Sequence, residues 1–288
     1  MSATDTAARP LPATPASRSG SGPRTPSRTR ARTRSRTVAR TVAPLTAILL
    51  VLAVWQLAYA SHLSATLPAP AAVWHDIAAA WAQGVLAPAL LHSLARCLLG
   101  FLVSAAVGVP LAFLLHALAV LRTPVAPILS AVQSLPAAAL VPVAVIALGH
   151  SESAVYTVVL LGAVPAITVG VLSSLDQVPP LLLRAGRSMG ATGIARVRYV
   201  LLPAALPGLV TALQQGWTFG WRALMTAELI ATAPLPGLGR MLDHGRQSGR
   251  LSPVLAATAL ILVVGVLAET AVFAPVTRRV LRSRGLRA

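Results

Sequence analysis

Gly149-His150-Ser151-Glu152-Ser153 is the stretch of this chain closest to a reaction centre. It has the outline of GxSxG, the turn that presents a nucleophilic serine in hydrolases. That turn needs a strand before it and a helix after it. Here the final Gly is missing and an apolar run precedes the serine, so a tight external turn is expected. Intramembrane serine hydrolysis is the enzyme alternative, and Ser151→Ala would abolish it. Other chemistries are excluded by residue type. All 24 basic residues are Arg and none is Lys, which removes the P-loop route to ATP hydrolysis and Schiff-base chemistry. The single Cys97 forms no internal disulfide and no CxxC site. His62, His75, His92, His116, His150 and His244 make no HExxH or HxxxH pair that would hold a metal. No catalytic residue and no metal ligand is therefore assigned.

The remaining chemical candidates are polar residues inside apolar runs. Gln214 and Gln215 lie midway along one such run and either bond a neighbouring helix or line a route. Arg222 is 19 residues past Pro203, or ~28 Å at helical rise, which brings it to the outer interface. Interfacial snorkelling or pairing with Glu228 is expected there, because a charge at the bilayer centre costs ~2.5–3.5 kcal/mol. The sharper alternative is contact with an anionic cargo. Glu269 is expected to pair with a neighbour or sit near the inner end, with a proton relay as its functional alternative. Arg96, at the start of an apolar run, is expected at the interface.

Composition says what must surround these residues. The chain is 56% hydrophobic and only 11% charged, with mean hydropathy +0.74, against about a quarter charged in an ordinary soluble domain. Such a chain belongs in a membrane. A span needs about 20 apolar residues, and six uncharged or nearly uncharged runs qualify: 43–60, 97–121, 123–149, 153–175, 199–221 and 252–275. The first ends in Ala58-Tyr59-Ala60, which imitates a signal-peptidase site, but its apolar run is longer than a signal peptide's, so an uncleaved anchor is expected.

The net charge of +17 sits mainly in the tails. Nine Arg fall in residues 1–40, a Ser/Thr/Pro-rich stretch expected to be disordered, and five crowd 278–288. The run 27–37 has no interleaved aromatic for base stacking, so contact with anionic membrane lipid is expected rather than with nucleic acid. Assigning loops alternately to the two sides puts 19 Arg on one side and 3 on the other. The positive-inside rule then makes both termini cytoplasmic.

Two of the spans carry ridges of small residues. Gly100, Ser104 and Gly108 recur at four-residue steps, and so do Gly208, Ala212, Gly216 and Gly220. Such ridges let a neighbouring backbone come close. Prolines 110, 136, 142, 165 and 207 are expected to interrupt their spans, as helices lining a cavity tolerate.

The long cytoplasmic loop, residues 176–208, carries the most specific pattern. Asp176, Pro179 and Pro180 open it, Leu181 to Met189 reads as a short helix, and Gly190 breaks that helix; the next span begins at Pro203. Its spacing resembles the cytoplasmic EAA loop of ABC importer permeases: Glu-Ala-Ala, three residues, Gly, nine residues, Ile, one residue, Leu-Pro. The pattern falls on Arg184, Ala185, Gly186, Gly190, Val200, Leu202 and Pro203. Arg184 replaces the family's acid and Gly186 its second Ala. Residues 134–149, 220–230 and Pro236-Gly237-Leu238-Gly239 are similar to the nitrate/sulfonate/bicarbonate (taurine-type) branch.

The resemblance implies an all-α, six-span permease of the type I importer kind, occupying residues 41–277 in a bacterial cell membrane. It implies a second permease copy, two separate ATPase subunits that bind the ATP, and an extracytoplasmic substrate-binding protein. The implied cargo is a small anion such as an aliphatic sulfonate, taurine or nitrate. A thiamine-precursor pyrimidine is the alternative within the branch. An ion-coupled carrier is the rival from another class, and it requires the acids Glu228 and Glu269 to face each other.

Overall fold

The computed structural model describes residues 46–62, 66–231 and 235–283. The Arg-rich stretch 1–40 and residues 284–288 lie outside the described residues. Contacts divide the chain at Val54, so helix α1 (Thr46–Ala60) starts in one unit and ends in the other. At 15 residues α1 is shorter than the ~20 a span needs. Its Trp55 indole donates to the Pro68 carbonyl at 3.2 Å.

The second unit continues as α2 (Pro70–Ala82), α3 (Leu86–Ala117), α4 (Ala119–Ser134), α5 (Ala137–Leu148) and α6 (Glu152–Asp176). Then follow α7 (Pro180–Ser188), α8 (Gly193–Arg196), a π turn at Val197–Leu201 and α9 (Leu202–Ile230). The last elements are α10 (Leu238–Gln247), α11 (Leu251–Leu267), a π turn at Ala268–Phe273 and α12 (Ala274–Arg282). No strand occurs among the described residues.

Four helices are long and apolar enough to cross a membrane: α3, α6, the unbroken run Gly193–Ile230 and the run Leu251–Arg282. The stretch expected as a third single span is instead two helices, α4 and α5, bent by 100°. The cause is local. A residue preceding proline is pushed out of the α region, and Leu135, before Pro136, has ψ 134°. Of the five prolines expected to interrupt spans, only Pro136 does so. Pro110, Pro142, Pro165 and Pro207 stay inside continuous helices, each sacrificing one hydrogen bond. The expected end of the bundle at 277 also falls within a helix, since α12 runs on to Arg282.

Helix α6 is the axis of this unit. Its first half, with Val155, Val158 and Val159, is buried among Val141, Leu224 and Leu238. Its second half, with Ile167, Val171 and Leu175, is buried among Leu115, Leu201 and Leu209. Small residues on both neighbours allow this. A Cβ on Gly100 of α3 would lie 2.7 Å from Val159, and one on Gly108 would lie 3.1 Å from the Ile167 side chain. Both contacts advance eight residues on each helix, so α3 and α6 run parallel in constant register. Buried Ser104 lies between them on the α3 ridge. Across the other face α9 runs antiparallel: Gly220 faces Ala163, Gly216 faces Ile167, Ala212 faces Gly170 and Gly208 faces Ser174.

Gly170 offers a direct test, because an added Cβ would sit 2.8 Å from the Ala212 Cβ and 3.2 Å from its Cα. Gly170→Val should lower the melting midpoint of the purified protein in detergent, with a cost of about 1–3 kcal/mol for overpacking. Gly265→Ala, whose nearest neighbour would be the Trp221 indole at 3.7 Å, should leave the midpoint unchanged.

Candidate functional site

The loop between α6 and α9 folds back on itself. Pro180 occupies the first turn of α7, where a missing N–H costs nothing. The helix ends with Gly190 at φ +83°. The Gly190 N–H donates to the Arg187 carbonyl and the Ala191 N–H to the Gly186 carbonyl, both at 2.9 Å. That pair of bonds is a Schellman cap, which calls for glycine at the left-handed position. Buried Gly186 seats α7 on the π turn, since a Cβ there would lie 2.7 Å from the Val200 side chain. The next helix does not begin at Pro203 as expected; helical backbone runs unbroken from Gly193 to Ile230. Pro203 offers no N–H to the carbonyl four residues back, and the wider π turn sits just before it.

The outer surface of the loop carries large apolar side chains among the exposed Arg184, Arg187 and Arg198. Met189 is 80% and Ile194 85% exposed, and Leu181, Leu182 and Tyr199 are exposed beside them. A cavity of about 250 Å³ opens among Leu182, Ala185, Met189, Tyr199, Val200 and Pro203. Arg184 is exposed and Leu202 stands just outside the cavity wall. At the root of the loop Asp176 accepts two hydrogen bonds from Arg122, at 2.6 and 3.0 Å, and lies 3.4 Å from His116.

A second polar centre lies at the far end of α9. Glu228 is 1% exposed, and Arg96 of α3 donates to it at 2.8 Å. The Ser93 hydroxyl and the Gly239 N–H also donate to this carboxylate, at 2.8 and 3.0 Å. Ser93 accepts in turn from the Leu238 N–H at 2.9 Å. Gly237 and Gly239 pack where any Cβ would strike Glu228. Arg96 also grips Glu152 at the start of α6, its Nε donating at 2.7 Å. Arg96 is 2% exposed, so it is a buried bridge and not the interfacial residue expected. The expected Arg222–Glu228 pairing is also overturned: Arg222 is exposed while Glu228 is enclosed by Arg96, Ser93 and Gly239. Separation hid the Arg96–Glu228 link, because the partners are 132 residues apart. The available signal was one acid and one Arg, each isolated in an apolar run, which must find each other.

The two glutamines diverge. Gln214 donates to Glu269 in the π turn before α12, whereas Gln215 is exposed and lines a polar cavity with α4 and α6. Gln214 precedes Glu228 by 14 residues on one helix, or ~21 Å. The acids an ion-coupled carrier would need face to face are thus held apart by separate partners. The serine of the GxSxG-like turn is structural: Ser151 caps α6, accepting from the Ala154 N–H at 3.3 Å and donating to the Leu148 carbonyl at 2.9 Å. The left-handed Gly149 at φ +71° makes the turn.

These elements make an all-helical unit with spans long enough to cross a membrane and a capped loop between two tightly packed helices. Residues 104–280 match the family described as binding-protein-dependent transport system inner membrane component, and the chain belongs to it. It is 29% identical over 180 residues to the taurine transport system permease protein of Escherichia coli, covering 62% of this chain and 65% of that protein. Against the nitrate import permease protein of a Synechocystis species it is 26% identical over 177 residues, 62% of this chain and 64% of the relative. The chain thus spans just under two thirds of each relative's length. A solved inward-facing form of the MetNI methionine ABC transporter superposes with TM-score 0.59 at 26% identity, covering 69% of this chain and 97% of that one.

Breaking the buried pair from one side should be severe. Arg96→Met leaves Glu228 without its cation and should cost about 3–5 kcal/mol, read as a fall in melting midpoint and membrane yield. Adding Glu228→Gln should recover part of that loss, a coupling that a double-mutant cycle would measure.

Proposed function

We propose that this chain is the membrane-spanning subunit of an ATP-driven importer for a small oxyanion, such as an aliphatic sulfonate, taurine or nitrate. The observation that carries the reading is the α7–α8 loop. It exposes Leu181, Leu182, Met189, Ile194 and Tyr199, three of them around one cavity, while Gly186 and the Schellman cap brace its backbone. Exposed apolar side chains grouped in this way suit protein docking, and the missing Lys leaves the chain no P-loop of its own. The names of the taurine and nitrate relatives support a cargo that carries a sulfonate or nitrate oxyanion group.

Two copies would pair in the bacterial inner membrane, each loop received by a separate ATPase subunit that binds the ATP. Arg184, Ala185, Gly186, Gly190, Val200, Leu202 and Pro203 form or brace the docking element. An extracytoplasmic binding protein would deliver cargo on the opposite side. Both termini are cytoplasmic in this reading, on the 19-to-3 division of Arg between the two sides.

Docking can be tested without disturbing the fold, because Met189 and Ile194 are exposed. Wild type co-expressed with candidate ATPases from its own genome should elute from detergent as a complex. Met189→Asp combined with Ile194→Asp should lose that complex at an unchanged melting midpoint. Wild type that elutes alone at normal expression would contradict the proposal.

A further inference from the structure

A cavity of about 380 Å³ opens between α4, α6 and α9. Its polar wall is Gln133 from α4, Ser173, Ser174 and Gln177 from the end of α6, and Thr211 and Gln215 from α9. No charged residue lines it. Ser173, Gln177, Thr211 and Gln215 are all exposed on the single chain. Thr211 and Gln215 lie 8 and 12 residues past Pro203, ~12 and ~18 Å along the helix, well inside an apolar 38-residue run. Hydrocarbon does not tolerate such a face, because polar groups there would go unsatisfied. The cavity must therefore meet water or protein, as a transport route does.

Resting on the function proposed above, we infer that this cavity is a cargo station on the inner half of the route, where an oxyanion is held by neutral donors. Gln133 of α4 and Gln215 of α9 line it from different helices. Ser173 of α6 lines it as well, and its hydroxyl already accepts from Gln177 at 3.0 Å. Ser174 and Thr211 spend their protons on their own helices, at the carbonyls of Gly170 and Pro207. The donors left over are amide N–H groups and one hydroxyl, matched to the several acceptor oxygens of a sulfonate or nitrate. Asp176, next to Gln177, is held by Arg122, which removes its charge from the mouth of the cavity.

Neutrality suits transit. A fixed cation would add ion-pair attraction to the hydrogen bonds that neutral amides and hydroxyls already give an anion, and a passage site must bind weakly enough to release. The placement supplies the link to energy. The walls of the cavity are the end of α6 and the start of the long α9 helix, the two elements that the α7–α8 loop joins. Their contact floor is Ser174 on Gly208 and Gly170 on Ala212. A displaced loop must shift Ser173 and Gln177 relative to Thr211 and Gln215, and so change how the site fits its cargo.

The test uses the intact complex with its ATPase and binding protein in vesicles. Cys97, the only native cysteine, is fully buried, so Thr211→Cys supplies one reactive thiol. An anionic sulfonatoethyl thiosulfonate should label it several-fold faster than Ile146→Cys, a control on apolar α5 that is 87% exposed. Taurine, methanesulfonate or nitrate, whichever wild type carries, should slow that labelling. Gln215→Leu and Gln133→Leu should each raise the uptake KM about tenfold or more, the loss of one hydrogen bond to a charged group. The binding protein's stimulation of ATP hydrolysis should persist. If a Leu variant fails to fold, the isosteric Gln215→Glu should abolish anion uptake by like-charge repulsion. Labelling of Thr211→Cys no faster than of Ile146→Cys would overturn the station, and so would unchanged uptake in the Gln215 and Gln133 variants. Either result would leave the transport reading intact if wild type imports with ATP. Wild type that carries none of the three anions would sink both.

Discussion

Helix α6 lies so close to α3 and α9 that hydrogen is the largest side chain accommodated at Gly100, Gly170, Gly208 and Gly216 without a shift of the neighbour. Everything else in the unit hangs on that approach. It buries Ile167, Val171 and Leu175 of α6 among Leu115 of α3 and Leu209 of α9. It sets α3 and α6 in parallel register and α6 and α9 antiparallel. It also brings the end of α6 and the start of α9 together, so the intervening loop folds back on itself with α7 seated on the π turn. In a membrane, where burial from water contributes little between helices, such small-residue contact is the main source of association.

The polar residues of the bundle obey a stricter accounting. Seven acids occur in the chain, and all but Asp5 lie among the described residues. Each of these six has a partner. Glu228 and Glu152 share Arg96, and Asp176 holds Arg122. Asp243 holds Arg246, Glu269 takes Gln214, and Asp76 takes Ser252. Four of these acids meet an Arg, and Glu269 and Asp76 each accept a hydrogen bond from a neutral side chain, in keeping with the cost of burying polar groups without a partner. Against that background, the exposed amides and hydroxyls beside Gly170 and Gly208 stand out as polar groups that the chain's own packing does not absorb.

Much of this was legible in the residues. The small-residue ridges were visible as four-residue steps, and the structure sets those positions against α6. The EAA-like spacing located the loop, and its glycine proves to be the left-handed position of a Schellman cap. What the residues concealed had two physical causes. Proline's effect depends on the residue before it and on neighbours that re-satisfy the backbone, so five prolines of one type yielded one break. Long-range pairing has no local signature, so Arg96 looked interfacial and Arg222 looked like the partner of Glu228. The Pro236–Gly239 segment held the missing hint, since its two glycines make room for a carboxylate that only tertiary structure delivers.

Purified permease reconstituted into vesicles with its ATPase and binding protein provides the most direct measurement. Uptake of the anion should require ATP on the loop side and persist when proton and sodium gradients are collapsed. Uptake by the permease alone, driven by an ion gradient and indifferent to ATP, would contradict the account. The exposed apolar side chains of the α7–α8 loop would then need a different partner.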